Sequence, residues 1–376
     1  MPHQADAAFF DSKRSWSKRK DQILSRYLTP YLAKVNRLGQ SIFLIDGFAG
    51  AGKYADDTAG SPLLLHSALQ RAKLNRPGKL VLIEDDPSLR KRLSTLVAAF
   101  PNAEVRPGPF LSNLDYVRSL ASRGTVFMYL DPYAVRGLEL SALTSVFELV
   151  SRDRSVEALI NFNAPIFVRW GLAAKGRSGS LHDDPEAGVV PTRPEIAELD
   201  RIVGGDWWQE IVEDCTHFPS AVNAVVDGYV SVLRQHFKQV CYHALYHRSS
   251  HRVPKYVLVF ASRHPDALCL MNDNMAEAHR ALLEAEADGQ AGLFAPPALA
   301  ATPAISSIDE LLFQLAAQPV ERDKLVFQVA AENFGVFVQK EIRSRISDLL
   351  RSNRLESETG KTKINGKVKV WARSMT

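Results

Sequence analysis

The chain has 376 residues, 46% of them hydrophobic and 23% charged, with a formal net charge of +4. That balance is globular and excludes a low-complexity or collagen-like chain, and the length leaves room for two domains. No apolar run approaches the roughly 20 residues that a membrane-spanning helix needs, so no membrane partner is expected.

Residues 14–35 carry Trp16, Ile23, Leu24, Tyr27, Leu28 and Leu32 near a period of 3.6, which predicts a helix. Lys13, Arg14, Lys18, Arg19, Lys20 and Arg26 decorate it. The first twenty residues lack the apolar core of a signal peptide, and Cys215, Cys241 and Cys269 are far apart and odd in number. Reduced thiols and a cytoplasmic location are therefore expected. Ile42–Ile45 form an apolar run that stops at Asp46, and Gly47, Gly50 and Gly52 follow at once. This predicts a buried parallel strand ending in a glycine turn. Ser61-Pro62 then start a helix, serine as cap and proline in the first turn. A second strand is predicted over 79–84, ending in Glu84, then a helix opened by Asp86-Pro87. A short strand at 103–106, a helix at 111–122, a strand at 125–130 ending in Asp131-Pro132-Tyr133, a helix at 141–151 and a strand at 156–162 follow. Such alternation implies a doubly wound parallel sheet.

The rhythm changes over 165–250, where helices at 195–202, 205–215 and 219–237 follow a loop, Lys175–Pro194. Trp207 and Trp208 read as core. Strands at 240–246 and 256–261 and a helix at 265–286 complete a first domain, 1–286. His243, His247 and His251 are spaced by four, but 240–246 reads as a strand, and no metal is expected. Residues 287–305 are rich in Ala, Pro and Gly and read as a linker. Beyond it, 306–376 shows three helices (307–317, 321–331, 335–351) and two strand-like pieces (353–358, 366–372), the outline of a winged helix. The basic excess sits here: residues 340–376 hold ten Lys or Arg against four acids.

Nucleotide-like cofactors bind at the carboxyl ends of such parallel strands. Gly47, Gly50 and Gly52, with Phe48 and Ala49 between them, let the backbone approach a ligand closely. Asp46 stands where a carboxylate meets a cofactor's ammonium, with a turn aspartate as the alternative. Glu84, followed by Asp85, stands where an acid holds ribose hydroxyls. The loop lacks the gap and Ser/Thr of a phosphate-binding loop. After the third strand, where class I methyltransferases often place an acid or amide to meet adenine, the segment reads Pro107-Gly108-Pro109-Phe110, and Asn113 or a backbone carbonyl could serve instead. Asp131-Pro132-Tyr133 is a shortened form of the D/N-P-P-aromatic motif of amino-methyltransferases, in which a carboxylate or amide and a proline carbonyl orient an exocyclic amine and the aromatic stacks on a base. The alternative is an Asp-Pro turn closing a strand. Asn161 and Asn163 stand at the next strand end, and Trp16 and Lys20 could cover the cofactor or touch a polyanion, with a core anchor as the alternative for Trp16. Together these strand ends point to an S-adenosylmethionine-dependent methyltransferase rather than a dehydrogenase.

The sequence also resembles the three-Cys-motif partner (TcmP) family. The residues that carry this are Trp16 with Lys20 and Tyr27-Leu28, IDGFAGAGKY (45–54), GSP (60–62), IE (83–84), LDPY (130–133), LIN (159–161) and YVLVFAS…ALCLMNDNM (256–275), within roughly 9–280. The resemblance implies a Rossmann-like class I methyltransferase domain and a radical-SAM-like partner with three cysteines. It also implies a C-terminal winged helix, found in some members.

The expected function is methyl transfer from S-adenosylmethionine to an amine of a nucleic acid base. Asp131, Pro132 and Tyr133 would be catalytic, and the winged helix would recruit substrate as a duplex, with 335–351 in the major groove and the wing, 359–369, along phosphates, through Lys340, Arg343, Arg345, Arg351, Lys361, Lys363 and Lys367. Two other readings stand beside it, a non-catalytic adaptor of the radical-SAM-like partner and a DNA-binding regulator.

Overall fold

A computed structural model describes residues 15–133, 135–149, 155–177, 195–246, 252–289 and 305–373. The chain divides into two compact units at His264 and Pro265. The stretches 178–194 and 290–304, read as loop and linker, lie outside the described residues, as do His247 and His251.

The first unit runs α1 (Ser15–Val35), β1 (Ser41–Asp46), α2 (Ser61–Arg71), β2 (Lys79–Glu84), α3 (Pro87–Val97), β3 (Ala103–Pro107), α4 (Leu114–Ala121), β4 (Gly124–Leu130), α5 (Leu140–Phe147), β5 (Val156–Phe162), α6 (Ala164–Ala174), α7 (Ile196–Val203), α8 (Trp208–Glu213), α9 (Phe218–Leu233), β6 (Gln239–Leu245) and β7 (Tyr256–Ser262). Its seven strands lie in the order β3-β2-β1-β4-β5-β7-β6. β1 to β5 are parallel, and β7 is antiparallel to both β5 and β6. This is a Rossmann-like doubly wound sheet, closed by an antiparallel hairpin.

The strands read as continuous apolar runs because both faces are covered. Alternate residues serve opposite faces. Val126, Met128 and Leu130 join the core built with α4 to α9. Phe127 points the other way, its ring 5.6 Å from Tyr27 and 5.3 Å from Tyr31 of α1. Trp208 is fully buried in the core, as its sequence suggests, while Trp207 packs against that core only partly covered. Strand order reverses between β1 and β4, the switch point at which such sheets bind ligands outside their carboxyl ends.

The second unit holds α10 (Pro265–Gly289), α11 (Ile305–Leu315), β8 (Val320–Glu321), α12 (Arg322–Glu332), α13 (Gln339–Arg351), β9 (Leu355–Ser357) and β10 (Lys369–Ala372). The strands form an antiparallel sheet, β8-β10-β9, over a core that includes Leu312, Leu325, Val329, Ile342, Ile346 and Leu349. Two features depart from the sequence reading. The helix expected from 335 starts at Gln339, because Gly335 takes φ +80°, which ends a right-handed helix. α10, assigned above to the first domain, groups with the second unit, where its side chains hold the start of α13. Among the described residues no helix is long and apolar enough to cross a membrane.

Candidate functional site

The carboxyl ends of β1, β2, β4 and β5 carry the site. At the end of β1, Asp46 is fully buried. Its Oδ1 accepts the Phe48 amide at 3.2 Å, and its Oδ2 has no hydrogen-bond partner. Burial pushes its pKa up to about 7; Ser61 and the Phe48 amide pull it down in part, and Asp131 and Glu84 push it further up. A buried, half-satisfied carboxylate is costly, and an ammonium ligand is the partner that would offset it.

The loop after Asp46 is held by its own backbone. The Gly47 amide donates to the Tyr129 carbonyl at 3.0 Å and Ala49 to that of Ile83 at 3.0 Å. Gly50 and Gly52 have φ of 61° and 79°, a conformation costly to residues with a Cβ. Phe48 turns inward, its ring 5.8 Å from that of Phe110.

Glu84, half-buried at the end of β2, grips this loop. Its Oε2 accepts the Gly50 amide at 2.6 Å and its Oε1 the Asp86 amide at 2.8 Å. Its pKa is raised, burial outweighing those two bonds. Each oxygen keeps acceptor capacity for a ligand hydroxyl. Asp85 is exposed, and its backbone carbonyl accepts from Arg90 at 2.9 Å.

Just past β4, Asp131 accepts four hydrogen bonds from three side chains. Lys20 Nζ donates to Oδ1 at 2.8 Å and to Oδ2 at 2.7 Å. Asn161 Nδ2 donates to Oδ1 at 2.6 Å and the Tyr129 hydroxyl to Oδ2 at 3.0 Å. A carboxylate has about four acceptor sites, so these donors fill it. Burial disfavours the Lys20 ammonium, yet its pKa is raised, because Asp131 and Tyr256 outweigh burial. Lys20 also sits over the Tyr256 ring, 4.6 Å from its centre. Lys20 is thus the central cation of the site, whereas its sequence placed it only on a helix that could cover it. It lies one turn before Ile23 and Leu24 on the apolar stripe of α1, and a charge on such a stripe is the signal that marks it.

Pro132 is buried, whereas Tyr133 is 61% exposed, an aromatic surface beside the strand ends. Asn161 is buried, and its Oδ1 has no hydrogen-bond partner. Asn163 caps α6, accepting the Ile166 amide at 3.2 Å. The Asn113 amide is engaged inside its own turn: it donates to the Pro107 and Pro109 carbonyls, each at 3.1 Å, and accepts Arg106 Nε at 2.8 Å. It therefore braces the β3–α4 turn rather than facing adenine. The Trp16 side chain lies outside what is described.

In the second unit the seven basic candidates separate. Arg345 forms a two-pronged pair with Asp309, both contacts 2.5 Å, tying α13 to α11. Arg343 donates to Gln339 Oε1 at 3.0 Å and Arg351 pairs with Asp348 at 3.3 Å. Lys340 is exposed on α13, and Lys361, Lys363 and Lys367 are exposed on the loop joining β9 to β10.

No family model matches the chain, and no curated protein matches it. Solved structures do. A putative caffeoyl-CoA O-methyltransferase from Staphylococcus aureus is 11% identical, with a TM-score of 0.30 over 62% of this chain and 81% of that one. An O-methyltransferase from Bacillus cereus, solved with SAH, is 13% identical, with a TM-score of 0.29 over 63% and 80%. A SAM-dependent methyltransferase from Aquifex aeolicus is 13% identical, with a TM-score of 0.26 over 67% and 100%.

Proposed function

We propose that the first unit is an S-adenosylmethionine-dependent methyltransferase acting on an amine of a nucleic acid base. The observation that carries the cofactor is Asp46: a fully buried carboxylate with one unpartnered oxygen, at the switch point and directly before a glycine turn. Asp46 would hold the cofactor's ammonium, Glu84 its ribose hydroxyls, and Gly47 to Gly52 would allow the close backbone approach. The cofactor supplies an electrophilic methyl group. The protein's task is then to place the acceptor and exclude water.

Exposed Tyr133 offers a face on which a base stacks, and Asn161 Oδ1 and the Pro132 carbonyl are acceptors for an amine's N–H. Asp131 serves this arrangement indirectly. It is saturated by Lys20, Asn161 and Tyr129, and so orients Asn161 rather than receiving the amine while Lys20 stays in place. That saturation also favours a second reading, in which the unit keeps the cofactor fold and acts as adaptor for a radical-SAM-like protein with three cysteines.

Calorimetric titration of S-adenosylmethionine and S-adenosylhomocysteine into the wild-type chain and Asp46→Ala tests the cofactor. Binding by the first, lost in the second, is expected. Folded wild-type protein that binds neither would overturn the reading and leave the adaptor. Labelled methyl transfer to single-stranded DNA and RNA tests the acceptor, with Asn161→Ala expected to lose transfer while retaining cofactor.

A further inference from the structure

The expectation that α13 enters a groove of duplex nucleic acid meets an obstacle in the second unit itself. The first turn of α13 is covered by α10. Asp273 accepts the Gln339 amide at 2.8 Å through Oδ1 and Gln339 Nε2 at 2.8 Å through Oδ2. Asn272 donates to the Phe337 carbonyl at 2.7 Å and accepts the Gly335 amide at 2.8 Å, while Arg280 pairs with Glu341 at 2.6 Å. A recognition helix reads bases with its N-terminal residues. Here that end is capped by a carboxylate from a neighbouring helix, which would repel phosphates. Two of its basic candidates, Arg345 and Arg351, are paired with acids.

The β9–β10 loop is built differently. From Thr359 to Arg373 the chain has five basic residues, Lys361, Lys363, Lys367, Lys369 and Arg373, and no acid. The four lysines are exposed. The loop is ordered by its own bonds. Ser357 Oγ donates to the Lys361 carbonyl at 2.7 Å, Glu358 N to the Lys369 carbonyl at 3.0 Å and Lys367 N to Asn365 Oδ1 at 3.0 Å. α12 pins its far side, with Arg322 Nη1 donating to the Ile364 carbonyl at 2.6 Å and the Asp323 amide to that of Gly366 at 3.0 Å. Gly366 lies close under Asp323: a Cβ there would fall 1.8 Å from Asp323 Oδ2, and the carboxylate would have to move aside. Of the nearby acids, Asp323 pairs with Arg322 and Glu356 with Arg373, while Glu358 is exposed at the loop's start and Glu321 of β8 is exposed opposite Lys369. Lysines on a pre-ordered loop hold a row of phosphates with little ordering cost, and they read no bases.

We infer that the β9–β10 loop is a sequence-independent phosphate-backbone clamp for duplex nucleic acid, and that α13 is a supporting helix and not a reader. This rests on the nucleic-acid part of the function proposed above and not on its methyl-transfer part. The test is fluorescence anisotropy of the full chain with short labelled DNA duplexes, one AT-rich and one GC-rich, over a range of salt. The triple variant Lys361→Ala, Lys363→Ala, Lys367→Ala is expected to weaken binding about tenfold or more on both duplexes and to reduce the salt slope by about 3. The α13 variant Lys340→Ala with Arg351→Ala is expected to stay close to wild type. All five side chains are exposed, and circular dichroism checks that both variants fold. The inference is overturned by wild-type protein that binds no duplex, a triple variant that binds as wild type, loss of binding in the α13 variant, or a strong preference for one duplex. Preference for phosphatidylserine vesicles over duplex would also overturn it. A failure to bind S-adenosylmethionine would not, so the two readings fail separately.

Discussion

Lys20 Nζ lies 2.7 and 2.8 Å from the two carboxylate oxygens of Asp131, across 111 residues of sequence, with side chains only 8% and 22% exposed. This pair joins the first helix to the loop that would present the acceptor. Removing one partner of a buried pair leaves the other charge uncompensated, whereas removing both does not. Lys20→Met is therefore expected to destabilise the protein more than Lys20→Met combined with Asp131→Asn. A coupling of about 2 kcal/mol is expected from a double-mutant cycle by denaturant unfolding. Additive effects would mean that the ion pair contributes nothing to folding.

Asp46 makes cofactor affinity a function of pH. Its carboxyl is pushed up to about 7 by burial, so below that pH it is mostly protonated in the free protein. An ammonium ligand favours the ionised form, and binding there expels a proton. Affinity for S-adenosylmethionine is expected to rise from pH 5 to 7 by up to about tenfold per unit, then level off. Calorimetry in buffers of different ionisation enthalpy would register the released proton, and Asp46→Asn should remove both the release and the slope. A wild-type affinity that is flat across this range would dissociate Asp46 from the ligand.

The strand ends were legible because each is an apolar run with a polar stop. Ile42–Ile45 before Asp46, Leu80–Ile83 before Glu84 and Val126–Leu130 before Asp131 are buried on both faces, so composition alone marks them. What was not legible is which polar groups meet. Lys20 and Asp131, like Asp273 and Gln339, come from elements far apart in sequence, and no local period encodes their pairing. Glu84 shows the intermediate case. Its place at a strand end is written in the pattern, but its grip on the Gly50 amide depends on how the glycine loop folds back. Among the basic residues of α13, exposed and half-buried positions follow helical phase. Arg345 faces α11 while Lys340 faces water, a distinction that a count of charges does not make.

Glu157, near the start of β5, is buried with Tyr27 and Ser262 as hydrogen-bond donors. Burial pushes its pKa up to about 7, the two hydroxyls pulling it back in part. For a carboxyl raised in the folded state, the folded protein holds its proton longer than the unfolded chain. Stability is then fully present below the unfolded value, near 4.5, and is lost as pH rises to about 7. Glu157→Gln cannot ionise. The stability of wild type relative to Glu157→Gln should therefore fall by up to about 1.4 kcal/mol per pH unit over that window and stay constant above it. Thermal unfolding of both proteins at a series of pH values checks this. A difference that does not change with pH would show that Glu157 ionises no differently in the folded and unfolded states.

Arg345 separates a structural role from a nucleic-acid role. Both of its contacts to Asp309 are 2.5 Å, and Arg354 reaches the same carboxylate at 3.3 Å. These bonds hold the Asp309 carboxyl below its ordinary value, Arg345 first among them. Paired in this way, the guanidinium has less to offer a phosphate than the exposed lysines of the β9–β10 loop. Arg345→Ala is expected to cost about 1–3 kcal/mol in the unfolding of the second unit, read by denaturant titration of the full chain, with Asp309→Ala adding little on top. Duplex affinity measured well below the unfolding midpoint should stay within about twofold of wild type, because no phosphate contact is removed. A large loss of affinity without loss of stability would return Arg345 to the binding surface and make α13 a reader after all.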